Sequence, residues 1–118
     1  MAYYSDMAVE MKQAKYLELL KSVRKIRIVS TKKDVFKLLR TAAVKKSLDK
    51  KWIALKWTQI NWNIHRADIE FLDKFFDDMV EQESPNDFRI IRIGEDYDDI
   101  EIFGASGFCL SLTREIRM

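Results

Sequence analysis

Residues 52–58 read Trp-Ile-Ala-Leu-Lys-Trp-Thr, a run of aromatic and aliphatic side chains interrupted by one charge, at Lys56. The run is short for a helix and has few charges, which is typical of a strand that is buried on both faces. We therefore expect residues 52–58 to form the middle strand of a sheet, with the other elements arranged around it.

The segment from Ala67 to Glu81, downstream of this strand, has the clearest helical pattern in the chain. Its acidic residues lie mostly off the apolar stripe, and those in the first turn suit the positive end of the helix dipole. A strand followed by such a helix predicts a sheet with helices packed on it. The apolar stripe consists of Ile69, Leu72, Phe76, Met79 and Val80.

Upstream of the buried strand, residues 7–12 predict a short strand that leads into a helix from Lys12 to Val23. The helix is indicated by apolar residues at helical spacing. A single helix that begins at Asp6 is the alternative interpretation of the same segment. Either reading places an amphipathic helix near the N-terminus.

A second helix is expected over residues 32–42, because Thr31-Lys-Lys-Asp34 resembles a capping box and an apolar stripe follows it. Residues 26–28 alternate in polarity, as in a short edge strand. The lysine-rich residues 44–51 have poor periodicity and predict a loop or a short extra turn.

The C-terminal third predicts two strands. Residues 83–87 contain the only proline and predict a turn, after which Phe88 to Ile93 form a strand that ends at Gly94. An acidic loop over residues 95–101 follows, and alternating side chains predict a final strand from Phe108 to Met118. We expect the two strands to form an antiparallel hairpin with a long loop.

These elements predict one α+β domain over residues 1–118, with about three helices packed on one face of a small sheet. The sheet is expected to be antiparallel or mixed and to contain three to five strands. No internal repeat and no low-complexity linker divides the chain.

Cysteine content and the N-terminal sequence bear on the compartment. Cys109 is the only cysteine, so the chain has no internal disulfide, and a reducing cytoplasm is expected. The sequence has no signal peptide and no apolar run near the ~20 residues that span a bilayer, so we expect no membrane association.

Charge is divided unevenly along the chain. Residues 1–60 contain fifteen Lys or Arg against five Asp or Glu, a net charge of +10, whereas residues 61–118 contain six against fourteen, a net charge of −8. The opposite charges either neutralise one another across the fold or leave one basic and one acidic surface.

We expect neither catalysis nor a cofactor. A Cys–His pair would need Cys109 activated by His65, but Cys109 lies in a predicted strand and His65 directly precedes a helix. Two such residues are too few for a zinc site, and no phosphate-binding glycine loop is present. The acidic loop lacks the glycine and distal Glu of an EF-hand, so no metal site is predicted.

The acidic residues of the C-terminal half form the candidate partner-binding site. Several carboxylates, with Tyr97 as an amphipathic anchor, predict an acidic surface for a host or phage protein with a basic surface. The residues of this site are Glu95, Asp96, Tyr97, Asp98, Asp99, Glu101, Asp73, Asp77 and Asp78.

Nucleic-acid binding by the lysine-rich half is the alternative. Lysines of this kind contact phosphates, and two tryptophans could stack on bases. Self-association through an exposed strand edge is a further alternative for the partner. The nucleic-acid candidates are Lys25, Arg27, Lys32, Lys33, Lys45, Lys46, Lys50, Lys51, Trp57 and Trp62.

Residues 88–101, Phe-Arg-Ile-Ile-Arg-Ile-Gly-Glu-Asp-Tyr-Asp-Asp-Ile-Glu, together with Trp57 to Trp62 before them and Arg114 to Ile116 after them, resemble small uncharacterised proteins of bacteriophages and mobile elements. The resemblance covers the C-terminal half and carries no active site. It implies a non-catalytic inhibitor or adaptor in the host cytoplasm, of the kind that blocks defence systems such as a defence nuclease complex, anti-CRISPR proteins included.

Overall fold

The computed structural model describes residues 3–63, 65–96, 98–112 and 116–118. Within these residues the chain forms three helices and a five-stranded antiparallel sheet, which confirms the predicted α+β class. In chain order the elements are β1 (Ser5–Lys12), α1 (Gln13–Arg24), α2 (Val29–Thr41), β2 (Ala43–Lys46), β3 (Trp52–Ile60), α3 (Ala67–Gln82), a 3₁₀ turn (Pro85–Asp87), β4 (Phe88–Gly94), β5 (Ile100–Gly104), β6 (Ser111–Leu112) and β7 (Ile116–Arg117).

The strand order of the sheet is β2-β3-β1-β4-β5. The prediction that residues 52–58 form the middle strand is therefore wrong, because β1 occupies the centre and β3 lies beside it. Val9 of β1 pairs with Leu55 of β3 on one side and with Ile90 of β4 on the other. The sequence of β1 does not indicate a central strand, because it contains Glu10 and a carboxylate is unusual in a buried strand.

All three helices pack on the same face of the sheet. Alternate residues of the central strands point toward them, and the two layers share one core of buried side chains. Trp57 ties α2 to this face, since its ring N–H donates a 2.8 Å hydrogen bond to the carbonyl oxygen of Leu38. The core includes Met7, Val9, Met11, Leu19, Val23, Val35, Leu39, Ile53, Leu55, Ile69, Leu72, Phe76, Met79 and Ile90.

The C-terminal segment covers the opposite face of the sheet, which we call the tail face. A smaller apolar cluster forms there from Ala8, Ala54 and Ile91 of the sheet and Leu110 and Ile116 of the segment. Small side chains on the central strands leave room for the segment to lie close to the sheet.

Glu10 is fully buried on the tail face and binds the backbone of the C-terminal segment. Its Oε2 accepts hydrogen bonds from Ser106 Oγ at 3.0 Å and from Phe108 N at 2.8 Å. Its Oε1 accepts from Leu110 N at 2.8 Å and from Cys109 N at 3.4 Å. One carboxylate thus holds three successive backbone amides of the segment against the central strand.

Two segments of the N-terminal half differ from prediction. Residues 26–28 form no strand, because α2 already begins at Val29 and leaves only a short connection between two helices. Residues 44–51 are not simply a loop, since they contain most of β2 and its hairpin to β3. Ser47 closes this hairpin by accepting a 2.9 Å hydrogen bond from Trp52 N, while Asp49 accepts one from Lys51 N.

The predicted final strand from Phe108 to Met118 is also wrong over residues 108–112 and 116–118, while residues 113–115 of the prediction lie outside the described residues. The strand that forms a hairpin with β4 is β5, which begins directly after the acidic turn, whereas residues 111–112 and 116–117 form only a small separate ribbon. Gly104 directs the chain away from β5: its φ is +78°, and a side chain there would overlap Phe88. The following residues cross to the tail face, so Cys109 lies in a bend and not within a strand.

Replacing Glu10 by glutamine is expected to lower the free energy of unfolding by about 2–4 kcal/mol. The amide nitrogen of glutamine cannot accept the hydrogen bonds that one carboxylate oxygen of Glu10 accepts, so buried N–H or O–H donors would lose their acceptor. Urea denaturation measures the effect. Glu81→Gln, at an exposed position on α3, is the control and should change stability little. A Glu10→Gln variant as stable as the parent would contradict the assigned role of this carboxylate.

Candidate acidic binding groove

A groove of about 280 Å³ lies between α3 and the β4–β5 edge of the sheet. It exists because the helices cover the central strands but not β5, so that the helix-facing side chains of β5, Glu101 and Phe103, are exposed. Asp73 and Asp77 of α3 line the opposite wall. We call this feature the acidic groove.

Aromatic rings form the floor of the acidic groove and position one of its acids. Trp62 packs against Phe76 with ring centroids 6.4 Å apart, and against Trp57 at 5.7 Å. The Trp62 ring N–H donates a 3.1 Å hydrogen bond to Asp73 Oδ1. Asp73 is therefore held in a defined orientation, with its other oxygen left to accept further hydrogen bonds.

Arg92 is the cation of the groove, and its charge is already paired. Its guanidinium donates to Asp99 Oδ1 at 2.6 Å, to Glu101 Oε1 at 2.7 Å and to Ser5 Oγ at 3.2 Å. The hydrogen bonds to Asp99, followed by those to Glu101, raise the pKa of Arg92 despite its partial burial. Two carboxylates on one guanidinium leave this part of the groove with an excess of negative charge.

Asp99 has a structural role at the β4–β5 turn. Besides pairing with Arg92, it accepts a hydrogen bond from the hydroxyl of Tyr3. These two interactions, that with Arg92 first, lower the pKa of the Asp99 carboxyl. Gly94 makes the arrangement possible, since a Cβ at that position would overlap both Asp99 and the Tyr3 hydroxyl.

The pKa of Asp77 is shifted in the opposite direction from that of Asp99. Partial burial and the neighbouring charges of Asp73, Glu81, Asp78 and Glu101 raise the pKa of its carboxyl. These acids therefore lie close enough to repel one another in the folded protein. Asp73, Asp77 and Glu101, three of the predicted partner-binding residues, share one groove, and Asp78 is exposed beside them on α3.

The remaining acids of the predicted site lie at the β4–β5 turn. Glu95 Oε1 accepts a 2.9 Å hydrogen bond from Tyr4 N, and it lines a separate depression with Asp6. Asp96 and Asp98 are exposed. Tyr97, the predicted anchor, lies outside the described residues.

The candidate nucleic-acid residues are spread over several elements. Lys25 and Arg27 are exposed at the connection from α1 to α2, and Lys32 and Lys33 lie in the first turns of α2. Trp57 has only 3% of its surface exposed and cannot stack on a base, while Trp62 belongs to the acidic groove. Four exposed lysines share the β2–β3 hairpin: Lys45, Lys46, Lys50 and Lys51.

Strand order separates the two charged regions. The lysine-rich hairpin lies at the β2 edge of the sheet and the acidic groove at the β5 edge. Four inter-strand spacings put these edges ~19 Å apart. The four hairpin lysines and the acids of the groove therefore lie at opposite edges of the sheet, a basic edge and an acidic edge.

The two residues considered for catalysis lie in unremarkable settings. Cys109 is partly buried, and desolvation, with the nearby charge of Glu10, raises the pKa of its thiol. His65 is exposed in the turn before α3. Among the residues that the structure describes, no three His, Cys, Asp or Glu side chains are grouped so that they could hold a metal ion.

Within the described ranges, no helix combines the length and the apolar character needed to cross a membrane. No protein-family model, no curated protein and no solved structure matches the chain.

Sequence reasoning missed the apolar residues of β5 and the role of Arg92. Ile100, Ile102 and Phe103 are 42%, 45% and 42% exposed and run along the acidic edge. The local signal for β5 is the alternation Ile-Glu-Ile over residues 100–102, whose first two residues also belong to the acidic run 95–101. The pairing of Arg92 with Asp99 depends on the hairpin register and has no local signature.

Replacing Asp77 by asparagine is expected to raise the free energy of unfolding at pH 7 by about 0.3–0.5 kcal/mol, because it removes repulsion among solvent-screened acids. Since the folded pKa of Asp77 is raised, the native state takes up its proton first as the pH falls. The advantage of the variant should therefore vanish below about pH 4.

Chemical denaturation at several pH values measures this difference. Asp34→Asn on α2, outside the acidic cluster, is the control and should give no gain in stability. A loss of stability in Asp77→Asn at pH 7 would contradict the repulsion inferred for the groove.

Proposed function

We propose that the chain is a non-catalytic protein-binding module that attaches to a basic surface of a partner through the acidic groove. One observation carries the proposal: Asp73, Asp77 and Glu101 converge on an exposed groove whose cation, Arg92, already pairs with two carboxylates. An arginine or lysine from a partner would relieve the repulsion among these acids and gain charge-assisted hydrogen bonds.

Partial burial, and then the charges of the neighbouring acids, raise the pKa of Asp77, so its ionised form is unfavourable in the free protein. Groups that are unfavourable in the free protein are a feature of functional sites, because a ligand turns the unfavourable term into binding energy. Phe103 beside the acids adds exposed aromatic area, which protein interfaces commonly use. These properties favour a macromolecular partner.

A basic surface that receives this groove would otherwise be free to bind nucleic acid, since such surfaces act through phosphate contacts. Occupying it would make the chain an inhibitor. The resemblance of the C-terminal half to phage and mobile-element proteins adds a specific version of the proposal, in which the blocked partner belongs to a host defence system in the cytoplasm.

The lysine-rich hairpin supports a second candidate function, binding of nucleic acid. Lys45, Lys46, Lys50 and Lys51 are all exposed on one hairpin, and none forms an ion pair with another described residue. Such a group can contact neighbouring phosphates, and its affinity would fall steeply with salt concentration.

Affinity purification from a host lysate, with and without nuclease, separates the two functions. The groove variant carries Asp73→Asn, Asp77→Asn and Glu101→Gln, and the matched hairpin variant carries Lys45→Gln, Lys46→Gln, Lys50→Gln and Lys51→Gln. We expect one stoichiometric protein partner that survives nuclease, is lost in the groove variant and is kept in the hairpin variant.

A set of partners that disappears with nuclease and with the hairpin variant would overturn the protein-binding proposal in favour of nucleic acid. Partners that both variants retain would show that neither the acidic groove nor the lysine-rich hairpin is the binding site.

A further inference from the structure

The two edges of the sheet differ in the way they are protected against pairing with another strand. Among the described residues, no strand pairs with the outer side of β2 or of β5. β2 carries Lys45 and Lys46, and lysines on an edge strand discourage the addition of a further strand. β5 carries one charge, Glu101, among Ile100, Ile102 and Phe103, so it lacks this protection.

The two faces of β5 have different chemistry. Glu101 pairs with Arg92 and Phe103 with Ile90, so both side chains face the acidic groove. Ile100 pairs with Ile93 and Ile102 with Ile91, which places an aliphatic strip on the tail face. Since side chains alternate along a strand, a strand added to β5 would present its odd and even residues to these two environments.

We propose that β5 is the docking edge for an extended segment of the partner, in which basic residues alternate with aliphatic ones. The segment pairs its backbone with the free edge of β5. Its lysines or arginines face Asp73, Asp77 and Glu101, and its aliphatic residues extend the strip of Ile100 and Ile102. This inference rests on the proposed function and names the partner chemistry that the acidic groove recognises.

Charge favours a partner segment over a second copy of this chain as the occupant of the β5 edge. Pairing β5 with another β5 would bring two acidic grooves together, and like charges across a strand pair are unfavourable. Pairing β5 with β2 of another copy fits little better. Lys45 and Lys46 are adjacent and point to opposite faces, so one of them would meet the aliphatic strip.

The test uses three synthetic peptides of equal composition. The first alternates lysine and valine, the second groups all lysines before all valines, and the third is the alternating peptide with N-methyl groups on alternate backbone nitrogens. Fluorescence anisotropy with the full chain should show that the alternating peptide binds at least about tenfold more tightly than the other two, because only it combines the backbone pairing with the alternation.

Variants locate the site. Ile102→Lys places a charge on the docking edge and should abolish binding of the alternating peptide, whereas Val44→Lys on the β2 edge should leave it unchanged. Both positions are about half exposed, so both variants should keep the parent's melting temperature.

The outcomes also distinguish this inference from the proposed function. If all three peptides bind equally and all are lost with Asp73→Asn and Asp77→Asn, the acidic groove binds basic partners but strand addition is wrong. If no peptide binds, the docking edge is wrong whatever the lysate experiment recovers. If the chain instead forms a dimer that Ile102→Lys dissociates, the occupant of the edge is a second copy and the inference is overturned.

Discussion

The fold depends on the satisfaction of one buried carboxylate in its central strand. Glu10 lies between two neighbouring strands on the tail face, and without hydrogen bonds its burial would cost more than a small domain can sustain. The amides of residues 108–110 and the hydroxyl of Ser106 supply those bonds. The C-terminal segment therefore covers the tail face. All three helices lie on the other face, and neither layer fully covers the two edge strands.

This division of the sheet explains why charge is found where it is. The central strands are covered on both sides and are mostly apolar, apart from Glu10 and the residues that contact the C-terminal segment. Lys56 donates a 2.7 Å hydrogen bond to the carbonyl oxygen of Ile116 from β3. Within the sheet, the edges carry most of the exposed charge, with lysines on the β2 hairpin and acids around β5. Partial burial and the nearby acids raise the pKa of Asp77, whereas Arg92 pairs with Asp99 at the turn next to them.

The sequence allowed prediction of the elements whose signals are local. Helices α1 and α3, strand β4 and the α+β class follow from periodicity and turn residues within a few positions of each other. The central place of β1 and the pairing of β5 with β4 are set by contacts between residues far apart in the chain, which a hydrophobic pattern does not encode. Charge alone predicts Asp73, Asp77 and Glu101 as candidate partner-binding residues, and the structure brings them into one groove. The sequence does not distinguish these three acids from Asp99. The position of the Arg92 guanidinium, which pairs with Asp99, shows that Asp99 belongs to the turn.

The separation of the charged edges also affects how the molecule approaches a partner. With cations at the β2 edge and anions at the β5 edge, the protein has an electric moment along the strand order. The field of a basic surface would exert a torque on such a moment and would turn β5 toward that surface before contact. At physiological ionic strength the Debye length is ~8 Å, which is less than the ~19 Å between the edges. When the acidic edge is close to a basic surface, salt would therefore screen the interaction of that surface with the basic edge. For such a surface, the repulsion that the lysines add would be screened during the last stage of approach, and the rate of productive encounter would rise.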